Sequence, residues 1–262
     1  MALRVQDVIN TVIRGVNTEV LEKTVDTLKI GDARNNVTGI VTTFTASIDV
    51  IKEAIKLGAN MIITHEPTFY DHKDVISWQN GCNVYETKHR LIKNSNLAIW
   101  RLHDYWHMIK PDGIMTGIAS QLGWESYADN NDNWIYSIPP LKLSVLETIL
   151  KERLNASAVR TIGNVEMMCS RVGFLPGAAY IEKQIEFLKS DTFDVLICGE
   201  TIEWMICEYV RDAVQVGENK SLIILGHANS EEAGMKYLAE WLKLLITEIP
   251  IHFVPAGDPF NG

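Results

Sequence analysis

A chain of 262 residues that is 47% hydrophobic can bury one large core or two of ordinary size. Its net charge of −9, with no long Lys/Arg run, disfavours binding to the phosphate backbone of nucleic acid. The apolar runs fall far short of the roughly 20 residues that a membrane span requires. The amino terminus also lacks a secretory signal pattern, so a cytoplasmic protein without membrane contact is expected. Cys82, Cys169, Cys198 and Cys207 show no C-x-x-C spacing and lie mostly in apolar segments, which predicts buried reduced thiols rather than a disulfide framework or a thiolate zinc site.

Val5, Val8, Ile9, Val12, Ile13 and Val16 follow a helical period with one buried face. Residues 17–36 are polar with a turn at Gly31-Asp32, and lead into a β-branched strand, Val37–Phe44. A repeating pattern follows: helix Ser47–Leu57, strand Ala59–Thr64, helix Val84–Lys93, strand Leu97–Leu102. It recurs as strand Ser170–Leu175, helix Ile181–Lys189, strand Phe193–Cys198, helix Ile202–Val216 and strand Ser221–Gly226. The two series align with Thr64-His65-Glu66 opposite Cys198-Gly199-Glu200 and Leu102-His103 opposite Gly226-His227, the spacing of an internal duplication.

Strand–helix alternation requires parallel pairing with right-handed crossovers. The predicted class is therefore α/β, as two related three-layer lobes, residues 1–128 and 129–262, with 129–168 a connecting segment packed on the second. Within that segment Asp129–Asp132 and Pro139-Pro140 mark turns or a hinge, and Leu143–Leu154 and Ala158–Ile162 supply a helix and a strand. An amphipathic helix, Gly234–Leu245, and a last strand, Ile249–Val254, precede the terminal loop.

Three apolar runs discharge metal-ligand chemistry at their carboxyl ends, where open α/β sheets bind their ligands. The first delivers His65-Glu66-Pro67, whose adjacent side chains point to opposite sides of an extended chain and can serve different ions. Alone, the tripeptide reads more simply as a polar strand end. The second delivers His103, Asp104 and His107; on a helical turn the histidines share a face, and Asp104 can orient an imidazole through its second nitrogen. An aromatic turn packing Trp100, Tyr105 and Trp106 is an equally good reading of that stretch. The third is His227-x-x-x-Glu231 at the start of a helix, with Asn229 or Ser230 as N-cap and Glu231 favoured there by the helix dipole.

Together these ends carry four of the seven histidines, which favours one shared site over coincidence. Zinc, iron and manganese suit such a mixture of imidazole and carboxylate. His72, His89 and His252 lack this context and read as surface or packing residues; Arg101 reads as half of a structural ion pair, and Leu175-Pro176-Gly177 as a plain turn.

The segments AIKLGANMIITHEP (Ala54–Pro67), His103-x-x-x-His107 followed by Pro111-Asp112-Gly113-Ile114, and GHANSEEAGMKYLAEWL (Gly226–Leu242) resemble, in order, those of the Nif-three-like family, also labelled GTP cyclohydrolase I type 2-like. The resemblance covers most of the chain. It implies two related α/β lobes, two divalent metal ions in the cleft between them, and a toroidal homohexamer. Carried over by position, the five ligands are His65, Glu66, His107, His227 and Glu231, with His103 a further candidate. Typical members have histidine where Glu66 stands and aspartate where His107 stands. The exchange is reciprocal, so total ligand charge is preserved.

The resemblance points to a metal-dependent hydrolase of a small nucleotide-like or cyclic amide substrate. Glu231 is the candidate bridge between ions, and Asp104 or Glu200 the general base or the holder of the ligating histidines. The rival is a non-catalytic scaffold, regulator or metal carrier, whose mark is a closed coordination sphere.

Overall fold

The computed structural model describes residues 2–79, 81–129 and 134–260. Its strands are β1 (Leu28–Ile30), β2 (Ile40–Thr43), β3 (Met61–Thr64), β4 (Ala98–Arg101), β5 (Ile135–Lys142), β6 (Arg160–Ile162), β7 (Met168–Leu175), β8 (Val195–Cys198), β9 (Ser221–Ile224) and β10 (Ile251–Phe253). Between them run helices α1 (Val5–Val16), α2 (Ile48–Lys56), α3 (Asn83–Asn94), α4 (Asp104–Met108), α5 (Gly113–Leu122), α6 (Leu143–Arg153), α7 (Ile181–Lys189), α8 (Glu208–Gln215) and α9 (His227–Leu245). They form two α/β units, one of Met1–Ile114 with Gly234–Ala256, the other of Met115–Ala233 with Gly257–Gly262. Among the described residues no helix is long and apolar enough to cross a membrane.

In the first unit the sheet order is β1-β4-β3-β2-β10, parallel from β4 to β10 with β1 antiparallel at the edge. Strands β2, β3 and β4 are buried at every position, which is why they read as continuous apolar runs rather than alternating ones. Val41, Ile62 and Ile99 from these strands pack with Ile51 of α2 and Ile92 of α3 in one core. The Ser47 hydroxyl accepts from the Val50 amide and caps α2.

The second unit has the order β5-β7-β8-β9-β6, with β7, β8 and β9 parallel and both edge strands antiparallel. Leu196 and Leu222 pack with Phe187 of α7 and Val210 of α8 in its core. The order β1-β4-β3-β2 thus recurs as β6-β9-β8-β7, as a duplication requires. The units differ at the fifth strand, β10 lying parallel to β2 and β5 antiparallel to β7.

Several sequence expectations change. Hydrogen-bonded register pairs Thr64 with Arg101 and Cys198 with Ile224, so Leu102 corresponds to Leu225 and His103 to Gly226, one residue from the alignment read off the sequence. Apolar runs mark strands but do not fix the rung at which neighbours pair. Segment 234–256, expected in the C-terminal lobe, belongs to the first unit, because β10 supplies the ladder partner of β2. The polar stretch 17–36 contains β1, which bonds to β4.

Pro139-Pro140 is no hinge: both residues lie in edge strand β5, where the ladder to β7 is irregular between Ser137 and Leu141 and no proline N–H is needed. The turn expected at Asp129–Asp132 falls largely on residues 130–132, outside the described residues. A π-helical turn, Glu203–Cys207, precedes α8 where one helix was expected, since apolar spacing does not separate a wide turn from the helix it feeds. Helix α9 begins at His227, seven residues before Gly234. The cysteines are mixed: Cys169 and Cys198 are buried, Cys207 is intermediate and Cys82 is exposed.

Candidate metal centre

In the first unit His65 and Glu66 directly follow β3, and Leu102 and His103 link β4 to α4. His65 is fully buried, and its Nδ1 lies 3.2 Å from the Leu102 carbonyl oxygen. The His103 ring stacks on it at 4.5 Å, with Nδ1 2.9 Å from Asp104 Oδ1. One helical turn on, the His107 ring stands 5.0 Å from both, with Nδ1 2.9 Å from Asp112 Oδ2. A carbonyl or ionised carboxylate only accepts, so each Nδ1 carries the proton and Nε2 is the nitrogen with a lone pair. The three rings are oriented as ligating histidines commonly are, and each has a ring nitrogen within 4.8 Å of one on each of the others, a group that could hold a metal ion.

Burial, followed by the neighbouring His103 and His107, drives the His65 pKa well below its ordinary value and keeps it in the neutral form a metal requires. Burial also opposes ionisation of Asp104, but hydrogen bonds from His103, the Thr24 hydroxyl at 2.8 Å and the Val25 amide at 3.2 Å outweigh it and hold the carboxyl below its usual pKa. The amides that open α4 donate to one remote carboxylate: His103, Asp104 and Tyr105 reach Asp26 at 2.7, 3.0 and 2.9 Å. Burial nevertheless raises the Asp26 pKa above the ordinary value.

Arg101, fully buried, braces the loop after β3. It donates to the carbonyls of His65 and His72 at 2.9 and 2.6 Å and to Glu66 Oε2 at 3.3 Å, the structural ion pair expected of it. Glu66 Oε1 lies 3.6 Å from His103 Nε2.

In the second unit His227 is the first residue of α9, and its Nδ1 lies 2.8 Å from Glu200 Oε1. That hydrogen bond is the main cause of the lowered Glu200 pKa. His227 Nε2 lies 3.1 Å from Glu231 Oε2. With Nδ1 committed as donor, a lone pair on Nε2 would face a carboxylate oxygen, an arrangement that calls for a proton or a cation between them. Glu231 is 3% exposed and seated against the turn at Gly177, where a Cβ would come within 2.2 Å of its Oε1 and φ is +60°. A side chain there would displace the carboxylate, and the positive φ itself favours glycine. The Ser230 hydroxyl accepts from the Gly177 amide at 2.9 Å and donates to the His227 carbonyl at 2.7 Å. Ser230 and Asn229 therefore lie inside the helix and do not cap it; Asn229 donates to Leu225 O and Asp258 Oδ2 at 2.9 and 2.7 Å.

The family model for Duf34/NIF3 (NGG1p interacting factor 3) matches residues 3–259. The chain belongs to the NIF3 family. A GTP cyclohydrolase 1 type 2 homolog of Clostridium perfringens is 24% identical over 249 residues, covering 89% of each chain. One from Buchnera aphidicola is 25% identical over 230 residues, covering 87% of this chain and 88% of its own. The fold is shared with a hypothetical protein of Staphylococcus aureus at TM-score 0.80 and 17% identity, and with a Bacillus cereus protein related to NIF3 at 0.76 and 14%, each covering 100% of both chains.

The first unit of this NIF3-family chain thus gathers His65, Glu66, His103 and His107 with Asp104 beside them, and the second gathers His227 and Glu231 with Glu200. His89 packs against Phe69 and Tyr85 as expected, whereas His72 stands with its ring 6.3 Å from that of His103. Sequence reasoning gave no role to Asp26, Asp112 or Gly177. Asp112 follows Pro111 in the family-like PDGI stretch and was the easiest to find; Gly177 read as a plain turn, and Asp26 lies in the polar stretch before β2.

Proposed function

We propose that this NIF3-family protein binds a pair of divalent ions, through His65, Glu66 and His107 of the first unit and His227 and Glu231 of the second, and hydrolyses a small nucleotide-like or cyclic amide substrate. The observation that carries the metal reading is the approach of the His65 and His107 rings to 5.0 Å, each with its Nδ1 on an acceptor, in a group of side chains that can hold a metal ion. The substrate class rests on the relatives' designation as GTP cyclohydrolase 1 type 2 homologs. A hexameric ring follows from the family resemblance alone, and light scattering of the purified protein checks it.

When bound, divalent ions supply Lewis acidity that polarises a substrate oxygen and lowers the pKa of water. This chain's own residues position that chemistry. Asp104 has both carboxylate oxygens in hydrogen bonds, to His103 and to Thr24 and Val25, which favours an orienting role over a general base. Glu200 holds the His227 ring in the same manner. Elemental analysis after metal-replete preparation is expected to give about two equivalents per chain, and well under one contradicts the reading. A panel of nucleotides and cyclic amides is then assayed with wild type, Glu231→Ala and His107→Ala. Turnover lost with the fold intact supports the hydrolase; assembly or stability lost without any turnover in wild type supports the scaffold.

A further inference from the structure

We propose that His103 is itself a metal ligand, so that His65, His103 and His107 form an all-imidazole face holding one ion within the first unit through their Nε2 atoms. This rests on the metal-binding reading above and adds a ligand to it. Residue 103 reaches the face by the course of the chain after β4: Asp26 gathers the amides of His103, Asp104 and Tyr105 and turns the backbone into α4 at that point. The His103 and His107 rings are thereby brought 5.0 Å apart, with His65 completing a near-equilateral triangle at 4.5 and 5.0 Å.

All three rings carry the proton on Nδ1. Asp104 holds His103 Nδ1 at the same 2.9 Å at which Asp112 holds that of His107, so the two rings are presented alike. Three nitrogens bonded at roughly 2.0–2.1 Å to a tetrahedral ion lie about 3.4 Å from one another. Each of the three rings has a nitrogen within 4.8 Å of one on each of the others, so a closure of at most roughly 1.4 Å brings such a set onto an ion. His65, His103 and His107 supply three nitrogen ligands, with Glu66 Oε1 3.6 Å from His103 Nε2, a set that suits zinc or cobalt better than manganese or magnesium. Three protein ligands on a tetrahedral ion leave one position for another group.

The test uses the metal-stripped full chain reloaded with cobalt(II). Each imidazole bound through Nε2 contributes an exchangeable Nδ1–H resonance with a large hyperfine shift. The proposal expects His103→Gln to delete one such resonance and weaken one of the two ions by more than about tenfold, leaving the other ion in place. His72→Ala, altering the exposed histidine beside His103, is expected to leave both the spectrum and the affinities unchanged. An unchanged set of shifted resonances in His103→Gln overturns the proposal, and if affinity has dropped as well, His103 positions the site without binding the ion. In both cases the two-metal reading stands. Uptake of well under one cobalt by wild type overturns both.

Discussion

The two units share a strand order but divide the chemistry differently. At corresponding positions after β3 and β8 stand His65-Glu66 and Gly199-Glu200. The carboxylate is common to both, and each lies beside an imidazole of the following segment, Glu66 by His103 and Glu200 by His227. The preceding position is not interchangeable. In the first unit it holds the buried His65; in the second a Cβ at Gly199 would sit 2.5 Å from both Gly177 O and Ser230 Oγ, because the turn that seats Glu231 fills that space. One unit therefore presents imidazoles and the other a histidine with carboxylates. A duplicated topology fixes where ligands can stand, and local backbone approach decides which ones do.

The largest expected effect lies at Arg101, whose counterpart on β9 is Ile224. Arg101→Met strands the Glu66 carboxylate and two carbonyls without their buried donor and is expected to lower stability by about 3 kcal/mol, read by urea unfolding. A loss below about 1 kcal/mol would mean that the guanidinium does not brace the first unit. Next comes Gly199→His, which copies the first unit into the second. Overpacking against Gly177 and Ser230 is expected to cost about 2–3 kcal/mol; a tolerated histidine would remove the distinction drawn between the units. Asp26→Ala, which removes the acceptor of three α4 amides, is expected to cost about 2 kcal/mol and to weaken metal uptake, measured calorimetrically.

The smallest effect concerns the long connection from β3 to α3, far longer than that from β8 to the π-helical turn in the second unit. Lys88 anchors it from α3, donating to Thr68 O at 2.5 Å with its ammonium 4.8 Å from the Tyr70 ring centroid. Burial lowers its pKa from 10.5 to about 8. Between those values the unfolded chain holds the proton that the folded chain has lost, so stability gains a component that rises with pH across this window. Lys88→Met is expected to flatten that rise in unfolding curves taken from pH 8 to 10.5. An unchanged slope would show that Lys88 titrates normally.

Much of this was legible in the sequence because buried parallel strands are continuous apolar runs, and because His65, His103 and His227 directly follow such runs. Asp104 as the holder of an imidazole was legible for the same reason, since its neighbour in the chain is also its partner. What was hidden depends on contacts between distant segments. Asp26 meets the start of α4 across 77 residues, Gly177 matters only because Glu231 packs on it, and β10 joins the first sheet although it is the last strand of the chain. The one-residue slip between repeats arose because an apolar boundary is softer than a hydrogen-bonded rung.

The most direct test of the central claim is anomalous diffraction from metal-loaded crystals at the absorption edge of the bound metal. A two-ion site gives two peaks about 3.5–4 Å apart, one bonded to His65 and His107 and both within ligand distance of the His227–Glu231 pair. Peaks on separate surfaces, or no peak at the imidazole cluster of the first unit, would contradict it.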